Sequence, residues 1–258
     1  MTVLVRSMDS KAFFYPESRF GGFTDSDAHV VFYTRVHALL SPDSIVLDIG
    51  CGRGRAVEDP VPVRRQLRTL KGKCRHVIGI DVDPLAAANP CVDEFRAIEP
   101  EAEHWPVEDE GVDVAVSASV LEHVSDPEHF FAECRRVIKP GGFLCLRTTN
   151  AWSYSGIAAR LIPNRYHAAV IRRVYANPRG GEDVFPTVYR CNTVFKLRRA
   201  LSRAGFDHCV YGYQSQPSSL GFSPFFYFWG VVHQHLAPGM VKPTLFAFAR
   251  KNSPEEHP

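Results

Sequence analysis

Short apolar runs alternate along this chain with stretches whose apolar residues recur at helical spacing. Residues 44–49 (S-I-V-L-D-I) show no polar alternation, which fits a strand buried on both faces. Residues 76–81 (H-V-I-G-I-D) and 112–117 (V-D-V-A-V-S) repeat the pattern, residues 95–98 do so weakly, and 143–148 add a further run. Between them, residues 25–40 place Val30, Val31, Tyr33, Val36, Leu39 and Leu40 on a helical period, with Thr24 or Ser26 available as the cap. Asp126-Pro127-Glu128 is a helix start, with proline in the first turn and acids near the positive end of the dipole. That helix turns Phe130, Phe131, Cys134 and Val137 inward and is expected to stop at Lys139-Pro140-Gly141-Gly142. Asn192 or Thr193 opens another helix, closed by Gly205, and residues 210–213 and 245–249 read as a final pair of strands.

Strands alternating with helices predict an α/β fold, a doubly wound and mostly parallel sheet with right-handed crossovers. Residues 151–190 and 214–243 break the alternation. They are read as insertions over the face where the strands end, the face on which open α/β sheets bind ligands. The expectation is one domain, with a core of about 24–150 and 191–251 and the two insertions forming a substrate lid.

Composition narrows the class. With 45% hydrophobic and 22% charged residues in a chain of 258, disorder and fibrous architectures are excluded. A net charge of +2 gives no electrostatic case for nucleic acid, and none is expected as a partner. The seven cysteines are scattered and never form a C-x-x-C pair, which favours reduced thiols and a cytoplasmic setting over a disulfide framework. The amino terminus lacks the long apolar stretch of a signal peptide.

Candidate chemistry concentrates at Val46-Leu47-Asp48-Ile49-Gly50-Cys51-Gly52-Arg53-Gly54. An acid ends a strand and glycines follow at alternate positions, where the backbone turns sharply and a ligand can lie against it. The dinucleotide spacing G-x-G-x-x-G would need glycine at 55, which is Arg. A carboxylate beside the turn repels a pyrophosphate and attracts a ligand carrying an ammonium and a sulfonium, which points to S-adenosylmethionine. Asp81 ends the next strand, where an acid can accept from both ribose hydroxyls. Glu101-Ala102-Glu103-His104-Trp105-Pro106 precedes the strand at 112–117, and Ser117-Ala118-Ser119-Val120-Leu121-Glu122-His123-Val124 follows from it.

Together these segments resemble the class I S-adenosylmethionine-dependent methyltransferases of the type 11 group, with Asp48 to Gly54, Leu121 to Val124 and Lys139 to Gly142 in family order. The resemblance covers residues 44–149 closely and the rest loosely. It implies a seven-stranded sheet ending in an antiparallel hairpin and S-adenosyl-L-methionine as cofactor. Of the site residues it implies, Asp48 and Gly50 lie near the methionine moiety, Gly52 under the nucleoside, Asp81 at the ribose, Glu101 and Ala102 at the adenine, and Ser117 on the methionine side. Cys51, Gly54 and Val82 complete that set. Asp83 competes with Asp81 for the ribose, and Trp105 stands where an aliphatic residue is usual.

Methyl transfer needs a base only for a poor nucleophile such as a hydroxyl. His123 is the candidate because histidine titrates near neutrality, with Tyr166 and His167 behind it and helix packing as its bland alternative. Some similar ubiquinone-pathway enzymes hold a metal through a Glu-His pair and an earlier acid. The earlier position here is Ser119, so no metal is expected. Residues 151–190 interleave Arg160, Arg165, Arg172, Arg173 and Arg179 with aromatics, suiting either an anionic acceptor or a solvated helix face. Residues 208–241 contain no Asp, Glu, Lys or Arg; the aromatic segment 222–232 reads as lid or core packing, a dimer surface, or a peripheral membrane contact. The basic run Arg64, Arg65, Arg68, Lys71, Lys73 and Arg75 reads as a solvated helix face. The expected activity is O-methylation of a small molecule or glycan, a lipid-linked sugar among the acceptors; the alternative is a non-catalytic cofactor- or RNA-binding module.

Overall fold

The computed structural model describes residues 9–99, 102–154, 156–157 and 186–253. Its elements run α1 (Ser10–Phe14), α2 (Ala28–Ala38), β1 (Ile45–Ile49), α3 (Pro62–Arg68), β2 (His76–Asp81), β3 (Glu94–Ala97) and β4 (Val112–Ala118). There follow α4 (Pro127–Val137), β5 (Ile138–Thr149), α5 (Val194–Arg203), β6 (Phe206–Tyr213), α6 (Pro224–Leu236) and β7 (Thr244–Lys251).

The strands form one sheet in the order β3-β2-β1-β4-β5-β7-β6. The first five are parallel, and β7 runs antiparallel between β5 and β6. The apolar runs become central strands because both faces are covered. Leu47, Ile49, Ile78 and Ile80 join Phe130, Phe131 and Leu197 in one buried layer. Val46, Val77, Val114 and Val116 join Phe32, Val36 and Phe246 in the other. Alternate residues of one strand thus enter opposite layers, as a period of two requires.

Helix starts follow side-chain chemistry. Asp126 accepts from the His129 N–H and Thr193 from that of Lys196. The cap of α2 is Asp27, which accepts from His29 and Val30, not Thr24 or Ser26. Helix α4 stops at Val137, just before Lys139 to Gly142 as expected, but the next strand begins at Ile138 rather than at 143. The segment lies within β5, where a register shift opposite Val112 and Val114 absorbs the extra residues.

Residues 214–243 contain α6, whose amphipathic sense is reversed. Tyr227, Gly230 and Gln234 face the protein, with Gln234 bonded to the Tyr15 hydroxyl and Gln214 to the Gly230 carbonyl. Phe225 is 64% and Trp229 53% exposed, so core packing does not account for the aromatic face. Among the described residues, no helix is long and apolar enough to cross a membrane.

Candidate functional site

A cleft of about 1480 Å³ opens at the carboxyl ends of β1, β2, β4 and β5. Its floor is the turn after β1. Gly50 has φ +68°, and a Cβ there would overlap the Val120 side chain. Gly52 has φ +54°, and a Cβ would meet nothing within 4 Å, so its main chain faces open space. Neighbouring strands splint this turn. The Gly50 N–H donates to the Ile80 carbonyl at 2.8 Å, and the Gly52 N–H to Asp81 Oδ2 at 2.8 Å. The Asn89 amide donates to the Cys51 and Gly52 carbonyls at 2.9 and 3.0 Å.

Two acids face each other across the turn. Burial, with the Asp81 charge adding to it, pushes the Asp48 carboxyl up to about 7. Burial beside the same acids raises the Cys51 thiol to about 12, so it stays protonated. Asp81 is buried and accepts from the Gly52 and Asp83 N–H groups, which leaves acceptor capacity on both oxygens. Asp83 also lines the cleft, but its carboxylate is taken by Arg53 at 2.9 Å and the Leu85 N–H at 3.0 Å. Gly54, Val82 and Ala102 lie along the same wall with Trp105, whose ring packs edge-on against Phe130.

The opposite wall comes from the ends of β4 and β5. Glu122 is buried and accepts from the Thr148 hydroxyl at 2.7 Å and that of Thr149 at 3.4 Å. His123 Nδ1 lies 3.0 Å from the Pro186 carbonyl oxygen, which can only accept. That contact puts the proton on Nδ1, so in the neutral ring Nε2 is the basic nitrogen. Ser119 takes φ +66°, a strained value for a side chain bearing Cβ, and its N–H donates to the Arg147 carbonyl.

A charged cluster from α2 and α3 forms the third side. Arg64 holds Asp59 through both oxygens at 2.6 and 2.7 Å and reaches Asp27 at 2.8 Å, while Arg68 adds a bond to Asp59 at 3.1 Å. Burial alone would raise Asp59, but these bonds outweigh it and hold its carboxyl at about 2. Burial and the surrounding Arg147, Arg68 and Arg64 charges lower His29 to about 2, so it is neutral. Arg64 and Arg68 are therefore not the solvated face expected of the basic run, because α3 turns them onto buried carboxylates.

The structure thus gathers Asp48, Gly50, Cys51, Gly52, Gly54, Asp81, Val82, Ala102 and His123 on one cleft. Ser117 does not belong to its lining: it is 2% exposed, and Ala118 and Ser119 take that position. Glu101, Tyr166 and His167 lie outside the described residues. Sequence reasoning missed Tyr33, Glu122 as a buried acid, and Arg147. The last had a readable signal, a lone charge closing an apolar strand, the same signal that marked Asp48 and Asp81.

Residues 47–146 match the family model described as a methyltransferase domain. Over 135 residues the chain is 32% identical to a Mycolicibacterium smegmatis protein named "probable S-adenosylmethionine-dependent methyltransferase", covering 49% of this chain and 46% of that one. Over 107 residues it is 36% identical to the ubiquinone biosynthesis O-methyltransferase of Rhizobium leguminosarum bv. trifolii, covering 41% and 40%. The chain therefore spans less than half the length of these relatives. A SAM-dependent methyltransferase of Thermotoga maritima shares the fold, with TM-score 0.52 and 19% identity over 94% of this chain and 98% of that one.

Proposed function

We infer, from a chain whose residues 47–146 form a class I methyltransferase domain, that it transfers a methyl group from S-adenosylmethionine to a hydroxyl of a small-molecule or glycan acceptor. The observation that carries this reading is the pair of carboxylates, Asp48 half-buried and Asp81 buried, flanking a turn whose main chain is open at Gly52. Two acids whose repulsion, added to burial, raises Asp48 to about 7 are relieved by a cation. A pyrophosphate would worsen the same repulsion.

When bound, S-adenosylmethionine supplies an electrophilic methyl group and a neutral thioether leaving group. The protein's part is mainly placement, since well-oriented reacting pairs gain about 7–11 kcal/mol over free encounter. Asp81 offers oxygens for the ribose hydroxyls, Asp48 ionises beside the ligand's positive charge, and Ala102 with Trp105 walls the base. His123, its tautomer set by the Pro186 carbonyl, takes the acceptor hydroxyl's proton at Nε2. The O-methyltransferase named among the relatives supports a hydroxyl acceptor.

Calorimetry with S-adenosylmethionine on wild type and Asp48→Ala tests the pocket; equal affinity would remove Asp48 from it. A panel of hydroxylated acceptors, lipid-linked sugars included, tests turnover by release of S-adenosylhomocysteine. His123→Ala should lower kcat about 100-fold while donor affinity is kept; unchanged kcat would exclude it as the base. Binding without product from any acceptor would favour a non-catalytic module.

A further inference from the structure

The wall of the cleft formed by the ends of β4 and β5 carries an arginine whose hydrogen bonding is left incomplete among the described residues. Arg147 stands near the end of β5, in register with Ala118 of β4 and Phe246 of β7. Its Nη1 donates to Ser119 Oγ at 3.1 Å, and its Nε is buried with no hydrogen-bond partner among the described residues. The nearby acids Glu122 and Asp27 favour the charged guanidinium through space, while their hydrogen bonds go to other groups. Glu122 accepts from the Thr148 and Thr149 hydroxyls, and Asp27 is bonded to Arg64. Tyr33 supplies no negative charge, because burial beside Asp48 pushes its hydroxyl up to about 12. Burial also lowers Arg147 itself, but a guanidinium keeps its proton in a folded protein. The site therefore holds a half-buried guanidinium, its Nε buried and unpartnered among the described residues, with a hydroxyl beside it.

We propose that Arg147 and Ser119 form an anion subsite for the acceptor, recognising a carboxylate or phosphate group on the molecule that is methylated. The proposal rests on the methyltransferase reading above. A planar guanidinium meets either anion through paired N–H donors, and the backbone of Ser119, tied to the Arg147 carbonyl, fixes where its hydroxyl lies. Position separates this subsite from the donor. β5 is two strands from β1 across β4, about 10 Å at ordinary strand spacing, and His123 lines the same side as Arg147. The donor's own amino-acid carboxylate shares the chemistry, and the experiment distinguishes the two sources.

Wild type, Arg147→Gln and Arg147→Lys are saturated with S-adenosylhomocysteine and titrated calorimetrically with benzoate and, separately, with inorganic phosphate. S-adenosylmethionine is titrated into each free protein. Wild type should bind at least one of the anions, Arg147→Gln should bind it about tenfold or more weakly, and Arg147→Lys should recover part of the loss. Donor affinity should agree within about twofold across the three proteins. Equal anion affinity in wild type and Arg147→Gln overturns the subsite, as does failure of wild type to bind either anion. A parallel loss of donor affinity in Arg147→Gln overturns it too, by giving the arginine to the donor's carboxylate. Failure of wild type to bind S-adenosylmethionine would instead defeat the methyltransferase reading. The anion titrations, repeated on the free proteins, would still judge Arg147. Arg147→Lys keeps charge and bulk, so the comparison survives if the glutamine variant does not fold.

Discussion

Two groups of charges share one cleft and are built on opposite principles. On the α2–α3 side, Asp27, Asp59, Arg64 and Arg68 close on one another through bonds of 2.6 to 3.1 Å. At the sheet's edge, Asp48 faces Asp81, and Arg147 keeps a buried Nε without a partner among the described residues. The first group is satisfied before any ligand arrives, so its work is to hold α2, α3 and the turn at Asp59 together. The second keeps unused hydrogen-bonding capacity and, at Asp48, a carboxyl raised to about 7, which gives a ligand of matching charge something to relieve. Proximity to a cleft does not separate structural from functional charges; the closure of their hydrogen bonds does.

The strongest test breaks the closed group. Arg64→Met leaves Asp59 to Arg68 and Asp27 to its helix-cap bonds, removing the guanidinium that joins the two buried acids, and should cost about 3 kcal/mol, read as a lower midpoint in urea unfolding. A variant as stable as wild type would show that the network contributes nothing. Next comes the open group. Asp81→Asn removes a charged acceptor and disturbs the splint at Gly52, and should weaken S-adenosylmethionine about 10- to 100-fold in calorimetry. Unchanged affinity would leave the ribose to Asp83.

A smaller effect follows from protonation. Asp48 titrates at about 7 in the free protein, and a bound cation favours its ionised form. Below that value binding must first displace a proton, so donor affinity should fall about tenfold from pH 8 to pH 6, with Asp48→Asn flattening the slope. The same shift affects stability with the opposite sign. A folded-state pKa above the unfolded value means that the wild-type protein loses stability as pH rises through about 7. Asp48→Asn should therefore melt about 2–4 °C above wild type at pH 8 and gain nothing at pH 4. No gain at pH 8 would place Asp48 in a better-solvated setting. The smallest effect belongs to α6, where Phe225→Ser lies on the outward face and should change stability by less than about 0.5 kcal/mol.

Much of the fold was legible because buried parallel strands announce themselves as unbroken apolar runs. β1, β2 and β4 fell where those runs lie. The helix stop at Lys139–Gly142 was legible, since α4 ends at Val137, but the same proline and glycines also form a bulge at the start of β5, which the local pattern did not show. That Asp48, Gly50, Gly52, Gly54 and Asp81 share one cleft was legible through one rule, an acid or glycine at or just after a strand's end, since strand ends converge on one edge of such a sheet. Ser117, placed on the methionine side by the family resemblance, lies inside β4, which runs on to Ala118, and is buried, so Ala118 and Ser119 line the cleft instead.

By itself the sequence determined the order of strands and helices, the glycine turn and the acids at its sides, because each depends on neighbours a few residues away. Only tertiary structure decided that Arg64 and Arg68 are spoken for, that Asp48 is raised to about 7, that the Arg147 Nε has no partner among the described residues, and that the aromatic face of α6 looks outward. Those properties depend on which distant groups share a desolvated space. A charge's cost is set by its surroundings rather than by its place along the chain.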